Sequence, residues 1–157
     1  MPSTILHLCG TKTLVMGVVN VTPDSFSGDG LGVDVDAALC QAQHFVQNGV
    51  DLIDIGGESS RPSSIYGDVE RISVQEEIDR VVPVIEAMKP RMDITVSVDT
   101  YKSKVAEAAI EVGADMVNDI WGFRKDPDMV KIVAETDVEV VVMHNTDFPS
   151  YNDVVKD

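Results

Sequence analysis

Gly49-Val-Asp-Leu-Ile-Asp54 returns 64 residues later as Gly113-Ala-Asp-Met-Val-Asn118. In both copies a glycine closes an amphipathic run, an acid turns the chain, and a short apolar segment follows. A glycine there supplies the left-handed conformation that ends a helix. The offset matches two β/α units at about 30 residues each, the length that a barrel of about 250 residues implies. Recurrence at that period favours a (β/α)₈ barrel over a doubly wound sheet. A Rossmann arrangement would need a glycine fingerprint after its first strand, and none is present.

Working outward from the repeat, short apolar runs rich in β-branched residues recur at Leu14 to Val19, Leu52 to Ile55, Ile94 to Val98, Met116 to Ile120 and Val138 to Met143. Each is followed by polar residues and reads as a strand buried on both faces, as in a parallel sheet. Helical punctuation lies between them. Asp36 is positioned to cap a helix running to Asn48, and Gly49 ends it. Ser73 with Glu76 has capping-box spacing, in a helix that Pro83 should kink or break. Thr100 can cap the next helix, which stops at Gly113, and Asp126-Pro127 opens a fourth toward Glu135. The expected fold class is α/β, an incomplete TIM (β/α)₈ barrel with about five strands and four helices. Residues 1–157 are read as the N-terminal portion of a single barrel domain, with its C-terminal strands absent.

Composition narrows the function. The chain has 157 residues, 44% of them hydrophobic, and a formal net charge of −15. That sign opposes nucleic acid and anionic membranes as partners. Cys9 and Cys40 read as free thiols rather than a disulfide framework or zinc site. No apolar run approaches the length of a spanning helix, and the start lacks a secretory signal, so a cytoplasmic enzyme is the expectation.

In a parallel barrel, polar residues at the C-terminal ends of strands face the mouth where ligands bind. That criterion selects Asn20 after the first strand, Asp54 to Arg61 after the second, Asp99 after the third, Asn118 and Asp119 after the fourth, and His144 and Asn145 after the fifth. Taken singly, each has a plainer reading. Asn20 can form a turn before Thr22-Pro23, Asp99 can cap a helix, Asn118-Asp119 can satisfy a tight turn, and His144 can be a hydrogen-bonded rim residue. Their common position at one end of successive strands is what argues for a site. Asp accepts two hydrogen bonds side by side while Asn donates and accepts, a mixture suited to an aminopyrimidine–amide edge. The connections Thr22 to Val33 and Glu58 to Ile72 are long enough to act as lids over the mouth. Arg61 is the best cation for a carboxylate or phosphate.

Met16-Gly-Val-Val-Asn-Val-Thr-Pro-Asp-Ser-Phe-Ser27, Asp54-Ile-Gly-Gly-Glu-Ser-Ser-Arg-Pro62, Ser97-Val-Asp-Thr100 and Asn118-Asp-Ile120 resemble, in order, the motifs of the dihydropteroate synthase family. The resemblance implies a folate-pathway transferase that condenses 6-hydroxymethyl-7,8-dihydropterin pyrophosphate with p-aminobenzoate, assisted by Mg²⁺. It implies Asn20, Asp99 and Arg61 as catalytic residues and Asn20 as the metal-proximal one. Asp99, Asn118, Ser60, Arg61, Asp54 and Met143 become the substrate-binding set, with the loops Asp24 to Asp29 and Ser59 to Pro62 closing over p-aminobenzoate. Ser60, Ser63 and the order Gly28-Asp29-Gly30 depart from the usual family pattern. The family's later pterin-binding Asp and Lys, and its pyrophosphate-binding Arg and His, would lie beyond this chain, so the isolated chain is expected to have little activity. A homodimer of the complete protein is a further expectation. The alternatives are a non-catalytic pterin-binding or assembly module, and a methyltetrahydrofolate-binding methyltransferase domain, against which the run Asn20 to Ser27 argues.

Overall fold

The computed structural model describes residues 5–22, 34–59 and 71–144. In chain order the elements are β1 (Met16–Asn20), α1 (Val35–Gln47), β2 (Leu52–Gly56), α2 (Val74–Met88), β3 (Thr95–Asp99), α3 (Ser103–Glu111), β4 (Met116–Asp119), α4 (Met129–Ala134) and β5 (Glu139–Val142), preceded by a 3₁₀ turn at Leu6–Leu8. The strands form one five-stranded sheet in the order β1-β2-β3-β4-β5. Every pairing is parallel. Sequential order with a helix between each pair is the winding of a barrel, whereas a doubly wound sheet reverses direction part-way. Among the described residues β1 and β5 each have one neighbour, so the sheet is open.

The main core lies between the sheet and the helices. It joins Val19, Ile53, Ile55, Val96, Val98 and Val117 of the strands to Ala38 and Ala42 of α1, Val81, Val84, Ile85 and Met88 of α2, and Val105, Ala106 and Ala109 of α3. Side chains alternate along a strand, so the residues between these point to the concave face. Gly17 faces the helices, where a Cβ would meet Phe45 Cδ2 at 2.7 Å. A smaller cluster of Ile5, Leu52 and Met116 fills the N-terminal end of the concave side. Glu139 fastens it, accepting from the Ile5 amide at 3.1 Å and the Leu6 amide at 2.8 Å.

The sequence repeat has a physical counterpart. Asp51 accepts from the Val15 amide at 2.9 Å while its own amide donates to the Val15 carbonyl at 2.8 Å. Asp115 makes the same two bonds to Val96, both at 2.8 Å. Each acid also pairs with a lysine, Lys12 for Asp51 and Lys89 for Asp115. Gly49 and Gly113 have φ of 83° and 106°, as helix-ending glycines require. Each repeat unit is thus a two-point clasp across a strand pair at the bottom of the sheet.

Several helix boundaries differ from the sequence reading. The cap of α1 is Asp34, which accepts from the Ala37 amide, and not Asp36. α2 begins as read, with Ser73 accepting from the Glu76 amide at 3.1 Å, but it continues unbroken through Pro83 to Met88. Val81, Val84 and Ile85 on its buried face hold it to the sheet on both sides of the proline. Thr100 does not cap α3. Its hydroxyl accepts from the Lys102 amide, and the first amide of α3, Ser103, is capped from a distance by Asp126 at 2.8 Å. Asp126 also accepts from Asp128, and α4 starts at Met129 rather than at Pro127. Cys9 and Cys40 are free and exposed. The Ser73 cap gives a direct check: Ser73→Ala should cost about 1 kcal/mol in urea unfolding, the usual penalty for losing a serine cap.

Candidate functional site

Strand register decides which polar residues meet. Asn20 aligns with Gly56, Gly56 with Asp99, Asp99 with Asn118, and Asn118 with Val141, giving one row across all five strands. Paired residues share a face, and Val18 at 47% exposure marks it as the concave one. Gly56 in the middle of the row leaves a gap where a side chain would stand. A Cβ there would lie 3.3 Å from Asn20 Oδ1 and 3.6 Å from Asp99 Oδ2. The glycine therefore opens a notch flanked by an amide and a carboxylate.

The next row down contains Val18, Asp54, Ser97, Met116 and Glu139 in the same register. Asp54 is buried, and its Oδ2 accepts from Asn118 Nδ2 at 3.2 Å. Asp54 Oδ1 and Ser97 Oγ are buried and neighbour one another, and among the described residues neither has a partner in strict hydrogen-bond geometry. Buried polar atoms are normally satisfied by protein, water or ligand, so the Asp54–Ser97 pair forms a polar floor with hydrogen-bonding capacity beyond the contact between them. Burial raises the Asp54 carboxyl above its ordinary range, and the neighbouring Ser97 hydroxyl and Asn118 amide oppose the shift.

Among the described residues Asp99 carries the large shift. Burial, followed by the negative charges of Asp54, Glu77, Asp119 and Glu58, pushes its carboxyl up to about 7. Among the described residues no donor satisfies it. Asp99 and Asp54 thus crowd two carboxyl groups onto one concave patch beside an amide that can donate or accept.

The other candidates separate. Asp119 is fully buried and turned to the helix side, where it accepts from the Trp121 amide at 2.7 Å and the Phe123 amide at 3.0 Å. It holds a turn in which Gly122 and Phe123 both have positive φ, of 60° and 63°. The plainer reading is right for Asp119. Met143 lies one residue past β5, 43% exposed, with its amide donating to the Asp119 carbonyl. His144 is exposed. Ser60, Arg61 and Asn145, and the connecting residues 23–33 and 60–70, lie outside the described residues.

Sequence reasoning included Gly56 and Ser97 in quoted motifs but gave neither a role of its own. The signal for both was parity. Ser97 stands two residues before Asp99 and so on the same face, and Gly56 stands two after Asp54. It passed over Lys102, whose partners are distant in sequence. Its ammonium group contacts Glu58 Oε2 at 2.7 Å, Glu77 Oε2 at 2.6 Å and the Ile72 carbonyl at 2.9 Å.

Comparison with known proteins accords with this geometry. Dihydropteroate synthase from Clostridium beijerinckii is 50% identical over 148 residues, covering 94% of this chain and 53% of that protein. Among solved structures, dihydropteroate synthase from Clostridium difficile in the presence of pteroic acid superposes with a TM-score of 0.82 at 45% identity, covering 91% of this chain and 52% of the other. The Xanthomonas albilineans dihydropteroate synthase with 4-aminobenzoic acid gives a TM-score of 0.79 at 44% identity, covering 92% and 51%. The chain spans about half the length of the relatives it matches. The family model of pterin binding enzymes matches residues 16–157, and the chain belongs to that family.

Proposed function

We propose that this chain supplies the pterin-facing wall of a dihydropteroate synthase, in which p-aminobenzoate displaces pyrophosphate from 6-hydroxymethyl-7,8-dihydropterin pyrophosphate to give 7,8-dihydropteroate. It is the first portion of one pterin-binding barrel domain, acting in the cytoplasm as part of the folate pathway. The observation that carries this reading is the row of Asn20, Gly56, Asp99 and Asn118 above the buried Asp54. An ionised Asp99 accepts side by side from an exocyclic amino group and the adjacent ring N–H. Asn118 complements a ring nitrogen or carbonyl, and Asp54 Oδ1 and Ser97 Oγ receive what reaches the floor.

Loss of pyrophosphate leaves positive charge developing on an exocyclic carbon. Fixed carboxylates facing the pterin stabilise that charge, and a held electrophile lets the amine attack without ordering both partners afresh. Asn20, exposed beside the Gly56 notch, offers one amide oxygen, which suits a magnesium ion that takes its remaining ligands from water and phosphate. Bound there, Mg²⁺ would neutralise the leaving group. Ser60 and Arg61 are assigned to the p-aminobenzoate end, where the guanidinium meets the carboxylate, and Met143 offers apolar surface to the ring.

Pterin binding should be linked to protons. Donors from the pterin stabilise the ionised form of Asp99, whose carboxyl titrates at about 7 in the free chain, so binding near neutrality expels a proton. Affinity should therefore rise from pH 6 to pH 8. Calorimetric enthalpies at pH 6.5 should vary with the ionisation enthalpy of the buffer, and buffer-independent enthalpies would remove Asp99 from the contact. The function itself is tested by joining this chain to the remaining units of the Clostridium beijerinckii relative. With both substrates and Mg²⁺ the joined protein should release pyrophosphate, while the 157-residue chain alone should release little.

A second reading, a pterin-binding module that completes its barrel with another chain, draws support from the open edges β1 and β5 and from exposed Val18 and Val142. A clean monomer in sedimentation counts against it.

A further inference from the structure

Among the described residues, Lys102, Glu58 and Glu77 form a charged cluster outside the concave rows. Lys102 is 9% exposed, and all three of its ammonium hydrogens are directed to oxygen: Glu58 beyond β2, Glu77 in the first turn of α2, and the Ile72 carbonyl just before α2. Glu77 is 1% exposed, and among the described residues Lys102 is the cation paired with its carboxylate. Glu58 is held further by the Tyr101 hydroxyl at 3.1 Å and the Ile72 amide at 3.3 Å, and Arg71 donates to the same tyrosine at 3.2 Å. Arg80 fixes the adjoining Gly57 carbonyl at 2.8 Å.

Lys102 is also three residues beyond Asp99, on a turn with little freedom. The Thr100 amide donates to the Asn118 carbonyl at 3.1 Å, and the Lys102 amide donates to the Thr100 hydroxyl at 3.2 Å. One end of this turn thus joins Asp99 to Asn118, and the other is drawn toward β2 and α2 by the ammonium group.

We propose that Lys102 is a positioning residue of the pterin site: by anchoring the turn after β3 to Glu58 and Glu77, it sets the spacing of Asp99 against Asn118 and neutralises the two carboxylates behind them. This rests on the pterin reading of Asp99 and Asn118. Without the cation, the turn loses its tether to α2, and the carboxylates bear directly on Asp99, whose surroundings already hold Asp54 from β2, Glu58 from the following turn, Glu77 from α2 and Asp119 from β4.

The test compares the 157-residue chain with Lys102→Met, Lys102→Arg and Lys102→Met/Glu77→Gln, the last removing both members of the most buried pair in case the single variant does not fold. Two readouts are taken: calorimetric titration with 6-hydroxymethylpterin at pH 8, and amide exchange at Thr100 against Ile53 in the core. Lys102→Met, or the double variant, should bind pterin at least tenfold more weakly and exchange Thr100 at least tenfold faster with Ile53 unchanged. Lys102→Arg, which can bridge two carboxylates, should stay within threefold of the parent on both. A folded Lys102→Met or double variant matching the parent overturns the proposal. If the parent and Asp99→Asn do not differ in pterin binding, the pterin reading fails instead, and Thr100 exchange alone then decides the role of Lys102: unchanged exchange rejects it, and local acceleration rescued by arginine upholds it.

Discussion

Asp99→Asn should lose roughly two orders of magnitude in pterin affinity in a barrel completed with the remaining units, and in the 157-residue chain it should become more stable at pH 8. The affinity loss follows from exchanging a charged double acceptor for an amide with one acceptor. A charge-assisted hydrogen bond disappears, and a pterin donor is left facing an N–H, together worth about 3 kcal/mol. The stability gain follows from linkage. The carboxyl titrates at about 7 in the folded chain against its ordinary 3.8, so between those pH values the native state holds a proton that the unfolded state has released. Stability falls as pH rises through that window, and above it the folded chain carries the whole cost of a buried charge. Asparagine carries none. The variant should gain on the order of 2–4 kcal/mol at pH 8 and almost nothing at pH 4. Thermal unfolding at the two pH values reads both, and equal shifts at both would reject the linkage.

The second large effect falls on a residue outside the site. Asp119→Ala should cost about 2–3 kcal/mol in chemical unfolding, because two partly buried backbone donors, the Trp121 and Phe123 amides, lose their acceptor. Those two bonds also hold Gly122 and Phe123 in left-handed conformations, which for phenylalanine is strained. The turn packs tightly against the residue that follows β5, since a Cβ on Gly122 would lie 2.7 Å from the Met143 carbonyl oxygen. Asp119→Asn keeps one acceptor and should recover part of the loss. An alanine variant within 1 kcal/mol of the parent would show that the turn is set by its neighbours instead.

These two acids, Asp99 and Asp119, show what was legible in the sequence. Both end strands, and both were found because a parallel strand buried on two faces stands out as an unbroken apolar run. The same contrast placed all five strands to within about two residues. Whether a strand-end acid faces the mouth or the helices depends on register, which local spacing does not reveal. Asn118 and Asp119 are adjacent, and pleating sends them to opposite sides. Helix starts were less legible because caps can act over a distance. Asp126 resembles the cap of the helix that follows it, yet it serves Ser103 as well. Lys102 was invisible for the same reason, its carboxylate partners lying 44 and 25 residues away in the chain. The break allowed for at Pro83 does not occur, because local geometry ignores how firmly α2 is packed around it.

The bonds from Glu139 to Ile5 and Leu6 join residues 134 and 133 positions apart. At about 5–20 residues per second, a ribosome needs on the order of ten seconds to deliver Glu139 after the amides it must satisfy. The strand pairs, by contrast, each form between successive units as they emerge. The plug at the bottom of the sheet is therefore among the last contacts available during synthesis. Until β5 arrives, Leu52 and Met116 can already cover Ile5, but the Ile5 and Leu6 amides still lack the acceptor that fixes them.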